Sequence, residues 1–307
     1  MLVVLVMIVA ACLAAPLYAT YVAHTNPFTS NLDGTTVVNG KTVPVMKQEE
    51  GGLGLGVTPI GPTWDPRHYM LGADNQGRDV AARVLYGGRN SLLIAVAAAF
   101  VTCVLATVIG LISGFFGGVT DGVLSRLLDV IWAFPVYLLA ICLSTVLLTQ
   151  GISVGPLRIE AGSLWLPVLI IGIVFVPYVA RPVRGEVLSL GQREFVEAAI
   201  GLGASNWRLL RSDILPNVIT TVIVFFPLMI AINMLTEAAL SFLSIGVQPP
   251  DASWGTIILD GQGLLYTRPA VALAPGIAIA ITVLALNVLG DGVRDALDPR
   301  AKLRRAG

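Results

Sequence analysis

Long apolar runs separated by short polar segments dominate the pattern of this chain. Several of these runs reach the ~20 residues that an α-helix needs to cross roughly 30 Å of hydrocarbon at about 1.5 Å per residue. They are continuously apolar, whereas strands of a membrane barrel alternate over about 10 residues. We predict six transmembrane helices, at residues 2–23, 90–114, 128–149, 164–182, 217–245 and 270–290.

Composition agrees with this pattern. Of the 307 residues, 55% are hydrophobic and 12% are charged, and the mean hydropathy is +0.82, whereas soluble domains carry about 25% charged residues. The formal net charge of zero argues against a nucleic-acid partner. The three cysteines lie in apolar runs without metal-site or disulfide spacing: Cys12, Cys103 and Cys142. We expect an all-α membrane protein that contacts lipid and binds no metal.

The first run, residues 2–23, has two interpretations. A cleaved signal peptide would have a basic n-region and an apolar stretch of about 7–15 residues. This run has no preceding basic residue and its apolar stretch is longer, so a transmembrane helix is favoured. The lack of basic residues is also what a native start upstream of Met1 would produce.

Basic residues in the short connections predict the orientation, because Lys and Arg favour the cytoplasmic side and long loops are exempt. One side has only Arg158 and Arg268 in short connections. The other side collects Arg126, Arg181, Arg184, Arg193, Arg208, Arg211, Arg294, Arg300, Lys302, Arg304 and Arg305. We therefore predict cytoplasmic N- and C-termini, with a cytoplasmic tail at 291–307.

The long connecting segment, residues 24–89, is predicted to be an extracytoplasmic loop with its own organisation. Thr35–Val38 and Lys41–Val45 flank Asn39-Gly40, a pair that favours type I′ turns, and predict a small β-hairpin. A short interfacial helix is predicted before the second span. In it Val80, Val84 and Leu85 face one side, while Arg78, Asp79 and Arg83 stay in water.

The connection between the fourth and fifth spans, residues 183–216, is polar but has helical periodicity. Its recurring positions are Phe195, Ala198, Ala199 and Leu202. Gly203 can take the left-handed conformation that ends a helix, and Ser205 can cap a second helix that runs through Trp207 and ends near Pro216. We call residues 194–216 the knuckle. Its small alanines let another protein approach closely, which predicts a docking element; a solvated interfacial loop is the alternative.

A few polar or kinking residues fall inside or beside the predicted spans. Glu237 is costly within a membrane unless it has a partner. Two functional interpretations are that Glu237 lines a solute path or lies at an interface between subunits. The structural alternative is that neighbouring hydroxyl or backbone groups hydrogen-bond its carboxylate. Asp129 is expected to pair with Arg126 at a helix end. Pro135 and Pro177 each predict a kink.

Several motifs occur in order between Leu71 and Arg300. They are LGADNQGRD at 71–79, AFP at 133–135, EAAIGLGASNW at 197–207 with ILPN at 214–217, EAALSFL at 237–243, GVQPP at 246–250 with SWG at 253–255, LGDGVRD at 289–295 and LDPR at 297–300. This series resembles the second permease subunit of the dipeptide, oligopeptide and nickel branch of bacterial ABC importers. The order of the motifs makes the resemblance specific.

The resemblance implies a type I ABC importer permease fold with a permease core at 90–290. It implies a homologous second permease, two cytosolic ATPase subunits and an extracytoplasmic substrate-binding protein as partners. ATP and Mg would be bound by the ATPase subunits, so this chain would hold no cofactor and catalyse nothing. The implied ATPase-coupling residues are Glu197, Ala198, Ala199, Gly203, Ala204, Ser205, Trp207 and Pro216.

Other candidate sites follow from the same resemblance. Glu237 and Pro135 are candidates for the pathway or the interface between permeases, and Asp74, Arg78 and Trp254 for a gate or a contact with the binding protein. For Trp254 we favour an anchor at the lipid–water interface. Two features depart from the family pattern. Asp213 stands where histidine usually precedes Ile-Leu-Pro, and the hairpin-bearing segment is longer than usual.

The predicted cargo is a di- or oligopeptide. The only histidines, His24 and His68, lie outside the predicted spans, which disfavours a bare metal; a nickel chelate or another small solute is the alternative. A secondary transporter or channel acting alone would carry several ionisable groups in its spans, and only Glu237 is clearly deep. A membrane scaffold or sensor is a third hypothesis.

Overall fold

The computed structural model describes residues 1–38, 40–48, 57–154 and 157–297. Helices make up most of these residues: α1 (Leu2–Leu13), α2 (Ala15–Leu17, continued by the π-helical Tyr18–Ala23), α3 (Val80–Phe116), α4 (Gly118–Ala133), α5 (Val136–Gln150), α6 (Trp165–Val174), α7 (Val176–Gly191), α8 (Glu194–Gly201), α9 (Asn206–Arg208, continued by the π-helical Leu209–Ile214), α10 (Leu215–Phe242), α11 (Trp254–Gly261, continued by the 3-10 turn Gln262–Leu264) and α12 (Ala270–Leu297). The strands are β1 (Thr35–Val38), β2 (Lys41–Pro44), β3 (Met46–Gln48), β4 (Val57–Pro59), β5 (Ile152–Val154) and β6 (Leu157–Ile159), which pair as β1–β2, β3–β4 and β5–β6.

Three helices are long and apolar enough to cross a membrane alone. They are Val80–Phe116, Asn206–Phe242 and Ala270–Leu297, with mean hydropathies of 2.8, 2.4 and 2.2 in their most apolar windows. Three helix pairs meet the same criterion only together, and they bend by 48° (Leu2–Leu13 with Ala15–Ala23), 88° (Gly118–Ala133 with Val136–Gln150) and 44° (Trp165–Val174 with Val176–Gly191). By length and composition, the described part of the chain therefore offers three spans, or up to six if each bent pair is one span.

Prolines lie at two of these bends, as predicted. Phe134 has extended backbone (φ −91°, ψ 141°) between α4 and α5, which is the conformation that the following Pro135 favours. The result is a near right angle, sharper than the predicted kink. Pro177 lies in the first turn of α7, where a missing N–H costs little. At the end of α6, the Thr102 hydroxyl donates to the Gly172 carbonyl at 2.8 Å, a group that the helix break frees.

The described chain divides into two compact units. The first comprises Met1–Ile94, Leu147–Leu164 and Met234–Ala285, and the second comprises Ala95–Val146, Trp165–Asn233 and the residues from Leu286 onwards. The helices α3, α10 and α12 contribute to both units. Because α12 reaches residue 297, the first part of the predicted tail 291–307 is helical; the rest of that tail lies outside the described residues.

The connecting segment has its own small core in the first unit. Strands β1 and β2 pair antiparallel with Val38 opposite Lys41, which confirms the predicted strand pairing, while the turn residue Asn39 lies outside the described residues. Four buried side chains form the core: Val45, Ile60, Tyr69 and Ala73. The Tyr69 hydroxyl accepts from the Asn31 amide at 2.8 Å and donates to the Gly77 carbonyl at 3.2 Å. These contacts join the described parts of the segment to one another.

The predicted interfacial helix before the second span is wrong. Residues from Val80 onwards form α3 itself, which is uninterrupted for 37 residues. Arg78, Asp79 and Arg83, expected to stay in water, are 8%, 0% and 2% exposed. The reason is charge pairing, because each arginine meets a carboxylate in the folded chain. Periodicity alone cannot show such a partner.

Candidate functional sites

The knuckle exposes large apolar side chains. They lie in α8, at its C-cap and in α9: Phe195, Ile200, Leu202 and Trp207, which are 46%, 56%, 89% and 71% exposed. Glu194 and Glu197 lie in the first turn of α8, where negative charge complements the helix dipole. Large exposed apolar side chains in one short segment, with charged residues beside them, are typical of an interaction surface. The knuckle therefore has the chemistry of a protein-docking element.

Buried residues and a left-handed glycine fix the shape of this surface. Val196 and Leu209 are each 2% exposed and anchor the two helices of the knuckle in the second unit. Gly203 has φ +80°, and this left-handed conformation follows the end of α8 as predicted. The Ser205 hydroxyl accepts from the Arg208 amide at 3.4 Å, which confirms the predicted cap of the second helix.

The second helix of the knuckle was predicted to end near Pro216, and this prediction is wrong. It continues through the π-helical Leu209–Ile214 into α10, so that one helix runs over Asn206–Phe242. A π-helical segment directly before Pro216 changes the backbone spacing where a proline ring would clash with a regular α-turn. The Asn217 side chain also donates to the Asp213 carbonyl at 2.7 Å. The docking surface is thus joined to an apolar helix without a flexible link.

The structure brings most of the predicted coupling residues together. Exposed positions on or next to the knuckle surface are Glu197, Ala198, Gly203, Ser205 and Trp207, with Ala199 and Ala204 half-buried and Pro216 exposed at the start of α10. The predicted set omits Phe195, Ile200 and Leu202. Apolar residues at helical spacing are usually core residues, so only the fold separates the exposed ones from the buried ones.

In the first unit, three buried charged side chains and the half-buried Asp260 form a cluster. Arg78 donates to Asp74 at 2.7 Å and to Asp260 at 2.8 Å. Arg83 lies 2.8 Å from Asp260 and 3.3 Å from Asp74. Asp74 and Arg78 therefore belong to one site, but both are buried and contact other charged groups of this chain. Arg83 and Asp260 were missed because Asp260 lies far along the sequence in an unremarkable helix.

A fifth charged residue, Asp79, caps the start of α3. Its carboxylate accepts from the Ala82 amide at 3.1 Å and from the Thr25 hydroxyl at 3.4 Å. Burial raises the pKa of the Asp79 carboxyl, although these hydrogen bonds oppose the shift. The cap and the adjacent arginines fix where the connecting segment ends and α3 begins.

Glu237 lies at the centre of a hydrogen-bond network in the first unit. Its carboxylate accepts from Ser91 at 2.8 Å and from Ser241 at 2.7 Å. Each serine oxygen in turn accepts a backbone amide: that of Trp254 at 3.1 Å and that of Val247 at 3.0 Å. Glu237 is 0% exposed. Its surroundings in this chain are those of the alternative in which neighbouring hydroxyl groups hydrogen-bond the carboxylate. Ser91 was missed, because a lone serine in an apolar run carries no signal.

Trp254 is a core residue, so its predicted position at the lipid–water interface is wrong. It is 1% exposed, and its indole N–H donates to the Val84 carbonyl at 2.9 Å. A side chain on Gly88 would come within 2.8 Å of the indole ring. Because Gly88 has no side chain, the indole ring of Trp254 can pack directly against α3.

In the second unit, arginines of α7 pair with aspartates of α4. Asp129 lies 3.9 Å from Arg126, which confirms the pairing, but the predicted location at a helix end is wrong because both residues lie inside α4. Asp129 also lies 2.9 Å from Arg181. Arg184 donates a hydrogen bond to each carboxylate oxygen of Asp121, both at 2.5 Å. The sequence did not suggest this interaction. Because α7 leads directly into the knuckle, these pairs fix the base from which α8 projects.

Metal ligation has no candidate among the residues that the structure describes. No group of three or more His, Cys, Asp or Glu side chains there could hold a metal ion. The charged clusters above instead pair acids with arginines.

Residues 106–303 match the family described as "Binding-protein-dependent transport system inner membrane component". The chain is 38% identical over 234 residues to the glutathione transport system permease protein GsiD of Pectobacterium atrosepticum, covering 76% of this chain and 73% of that protein. The protein of the same name in Escherichia coli gives the same identity and coverage. Among solved structures, inward-facing forms of the MetNI methionine ABC transporter are similar in fold, with TM-scores of 0.56 and 0.54 at 16% and 18% identity. Each alignment covers 70% of this chain and 96% of the other.

Proposed function

Because the chain belongs to the family of inner membrane components of binding-protein-dependent transport systems, we propose that it is a permease subunit that imports short peptides of the glutathione type. It is a multi-pass protein of the inner membrane. In the proposed arrangement the three helices and three bent pairs make six spans with cytoplasmic termini, and the hairpin segment lies outside the cytoplasm. A second, homologous permease completes the translocation path.

The observation that carries the proposal is the exposed apolar surface of the knuckle. Leu202 and Trp207 are 89% and 71% exposed, which costs free energy in water unless another protein covers them. In the proposed complex a cytosolic ATPase subunit covers this surface on each of the two permeases. The ATPases bind ATP and Mg and hydrolyse the nucleotide, while this chain transmits the change without catalysis.

The continuous helix Asn206–Phe242 provides the transmission. A displacement of the knuckle moves α10 directly, since no loop separates them. α10 also carries Glu237, whose network reaches Trp254 through Ser91. In this proposal α10 is the element whose position is biased both by the docked ATPase and by the Glu237 network.

The gate candidates act indirectly in this proposal. Asp74, Arg78 and Trp254 are buried, so they shape the surface that receives the substrate-binding protein and do not touch that protein themselves. Asp74 and Arg78 hold the connecting segment to α11 through Asp260.

Uptake by proteoliposomes tests the proposal. The chain is reconstituted with the second permease, the two ATPases and the binding protein, and labelled glutathione or a dipeptide is supplied outside. We expect uptake only with internal ATP and with the binding protein present. Uptake driven by a proton or sodium gradient without ATP would instead establish a secondary transporter.

A further inference from the structure

A cavity of about 440 Å³ opens in the second unit beside the first turns of α10. Its size falls within the ~300–1,000 Å³ typical of small-ligand pockets. Two hydroxyls and one cation line it together with an apolar wall: Thr220, Thr221 and Arg294, with Val224, Phe225 and Leu228. None of these residues belongs to the knuckle or to the Glu237 network.

The two threonine hydroxyls of this cavity are available to a ligand. Thr107 and Thr282 lie in the same kind of apolar helix, and each donates to the carbonyl four residues earlier. Thr220 and Thr221 make no such bond to any residue that the structure describes. Both residues line the cavity, so their hydroxyls can hydrogen-bond a ligand there.

The opposite face of α10 shows that this polarity is local. There, α10 and α3 border an apolar groove of about 610 Å³, lined by residues such as Ile219, Ile223 and Phe100. The one threonine in that groove, Thr107, donates to the Cys103 carbonyl at 2.6 Å. Ionisable side chains in membrane proteins face the bundle interior or a water-filled cavity, and Arg294 lines the cavity on the Thr220 face of α10. The Thr220 face of α10 is therefore the face that meets water.

Arg294 supplies the charge. It lies in the last turn of α12 and has no ion pair among the described residues. Asp291 and Asp295 lie close to it along the same helix, yet neither comes within the 4.0 Å of an ion pair. A guanidinium with two free hydroxyls beside an apolar wall fits a small organic anion, because carboxylates accept such donors in charge-assisted hydrogen bonds.

We propose that this cavity is a station on the translocation path that binds the carboxylate end of a short peptide, through Arg294 and the hydroxyls of Thr220 and Thr221. The wall of Val224, Phe225 and Leu228 receives an apolar side chain of the cargo. This inference rests on the proposed import of peptides and specifies which group of the cargo is recognised. An anionic lipid headgroup is the other source of the same chemistry.

The test compares a tripeptide with a free C-terminal carboxylate and the same tripeptide as its amide. For each, uptake by the complete reconstituted transporter is expressed as variant relative to unchanged protein, which cancels any preference of the binding protein. Arg294→Gln should lower uptake efficiency for the acid about tenfold or more, the scale of a lost charged hydrogen bond, with little effect on the amide. Arg294→Lys should retain part of the efficiency, and Thr220→Val with Thr221→Val should lower it by a smaller factor.

Thr107→Val is the matched control, because its hydroxyl is already satisfied, and it should leave both peptides unaffected. An equal loss for acid and amide in Arg294→Gln would overturn the proposal, since it would indicate a structural role. The assay is repeated in vesicles without anionic lipid. If the effect of Arg294→Gln vanished there, the site would bind a headgroup and the peptide assignment would be wrong.

A binding measurement separates this inference from the proposed function. In a chain whose three native cysteines are replaced by alanine, Leu297→Cys, at a position that lines the same cavity but has no part in the proposed recognition, is labelled with a maleimide. The free acid should slow labelling and the amide should not. Absence of protection in a complex that imports peptides overturns the site alone. Absence of import by the unchanged complex contradicts the proposed function, and protection in that case would still support the site.

Discussion

Replacing Leu202 with aspartate should uncouple transport without destabilising the chain. The side chain is 89% exposed, and substitutions at such positions usually change the free energy of unfolding by no more than about 0.5 kcal/mol. If a docked ATPase buries the leucine, the contact contributes about 1.5–3 kcal/mol. Its loss corresponds to a roughly 10- to 100-fold weaker association, and the added carboxylate increases that penalty.

The assay titrates purified ATPase subunits onto the permease pair in nanodiscs and then measures ATP-driven uptake in proteoliposomes. Leu32→Asp is the matched control, because Leu32 is 53% exposed but lies in the connecting segment. Thermal unfolding should be unchanged for both variants. Only Leu202→Asp should lose ATPase affinity and uptake.

Two results would refute this reasoning. One is normal ATPase affinity and uptake in Leu202→Asp. The other is an equal loss of uptake in Leu32→Asp, which would show that any exposed charge is harmful. Ile200→Ser, at a second exposed position of the knuckle, must also weaken docking if the surface acts as a whole.

Three further predictions concern single contacts. Gly203→Val should reduce uptake, because φ +80° costs a residue with a side chain about 1–2 kcal/mol. Gly203→Asn should retain uptake, since asparagine tolerates this conformation. Equal uptake by both variants would contradict the conformational argument. Asp260→Asn should lower the free energy of unfolding by about 1–3 kcal/mol, because two buried arginines lose a charge-assisted hydrogen bond while both keep Asp74 as a partner. The exposed control Asp251→Asn should not change the melting temperature in detergent, and a matching shift in both variants would contradict the cluster's role. Ser91→Ala should cost about 1–3 kcal/mol, because Glu237 and a backbone amide each lose a buried partner, and an unchanged melting temperature would show that the network is not stabilising.

The apolar helices and the knuckle were predictable from the sequence because their signals are local. Continuous apolar runs specify helices in lipid, and Gly203 with Ser205 specifies a helix end followed by a cap. The break at Pro135 was predictable in place but not in size, since the bend depends on what packs around it. The strand pairing of the hairpin was likewise a local signal.

The buried polar networks were not predictable, because their partners are distant in sequence. Arg83 and Asp260 meet only when α3 and α11 pack together, and periodicity placed the arginine in water. Trp254 was placed at a membrane interface for the same reason: its partners are the Val84 carbonyl and the space beside Gly88. Exposed Leu202 and buried Leu209 look alike in the sequence.

A photoreactive amino acid at position 202 tests the central claim most directly. Irradiation of intact membranes containing the whole transporter should crosslink this chain to an ATP-hydrolysing subunit. Added lipid should not reduce the yield of this crosslink. Adducts only with lipid, or with the extracytoplasmic binding protein, would contradict both the docking role of the knuckle and its cytoplasmic location.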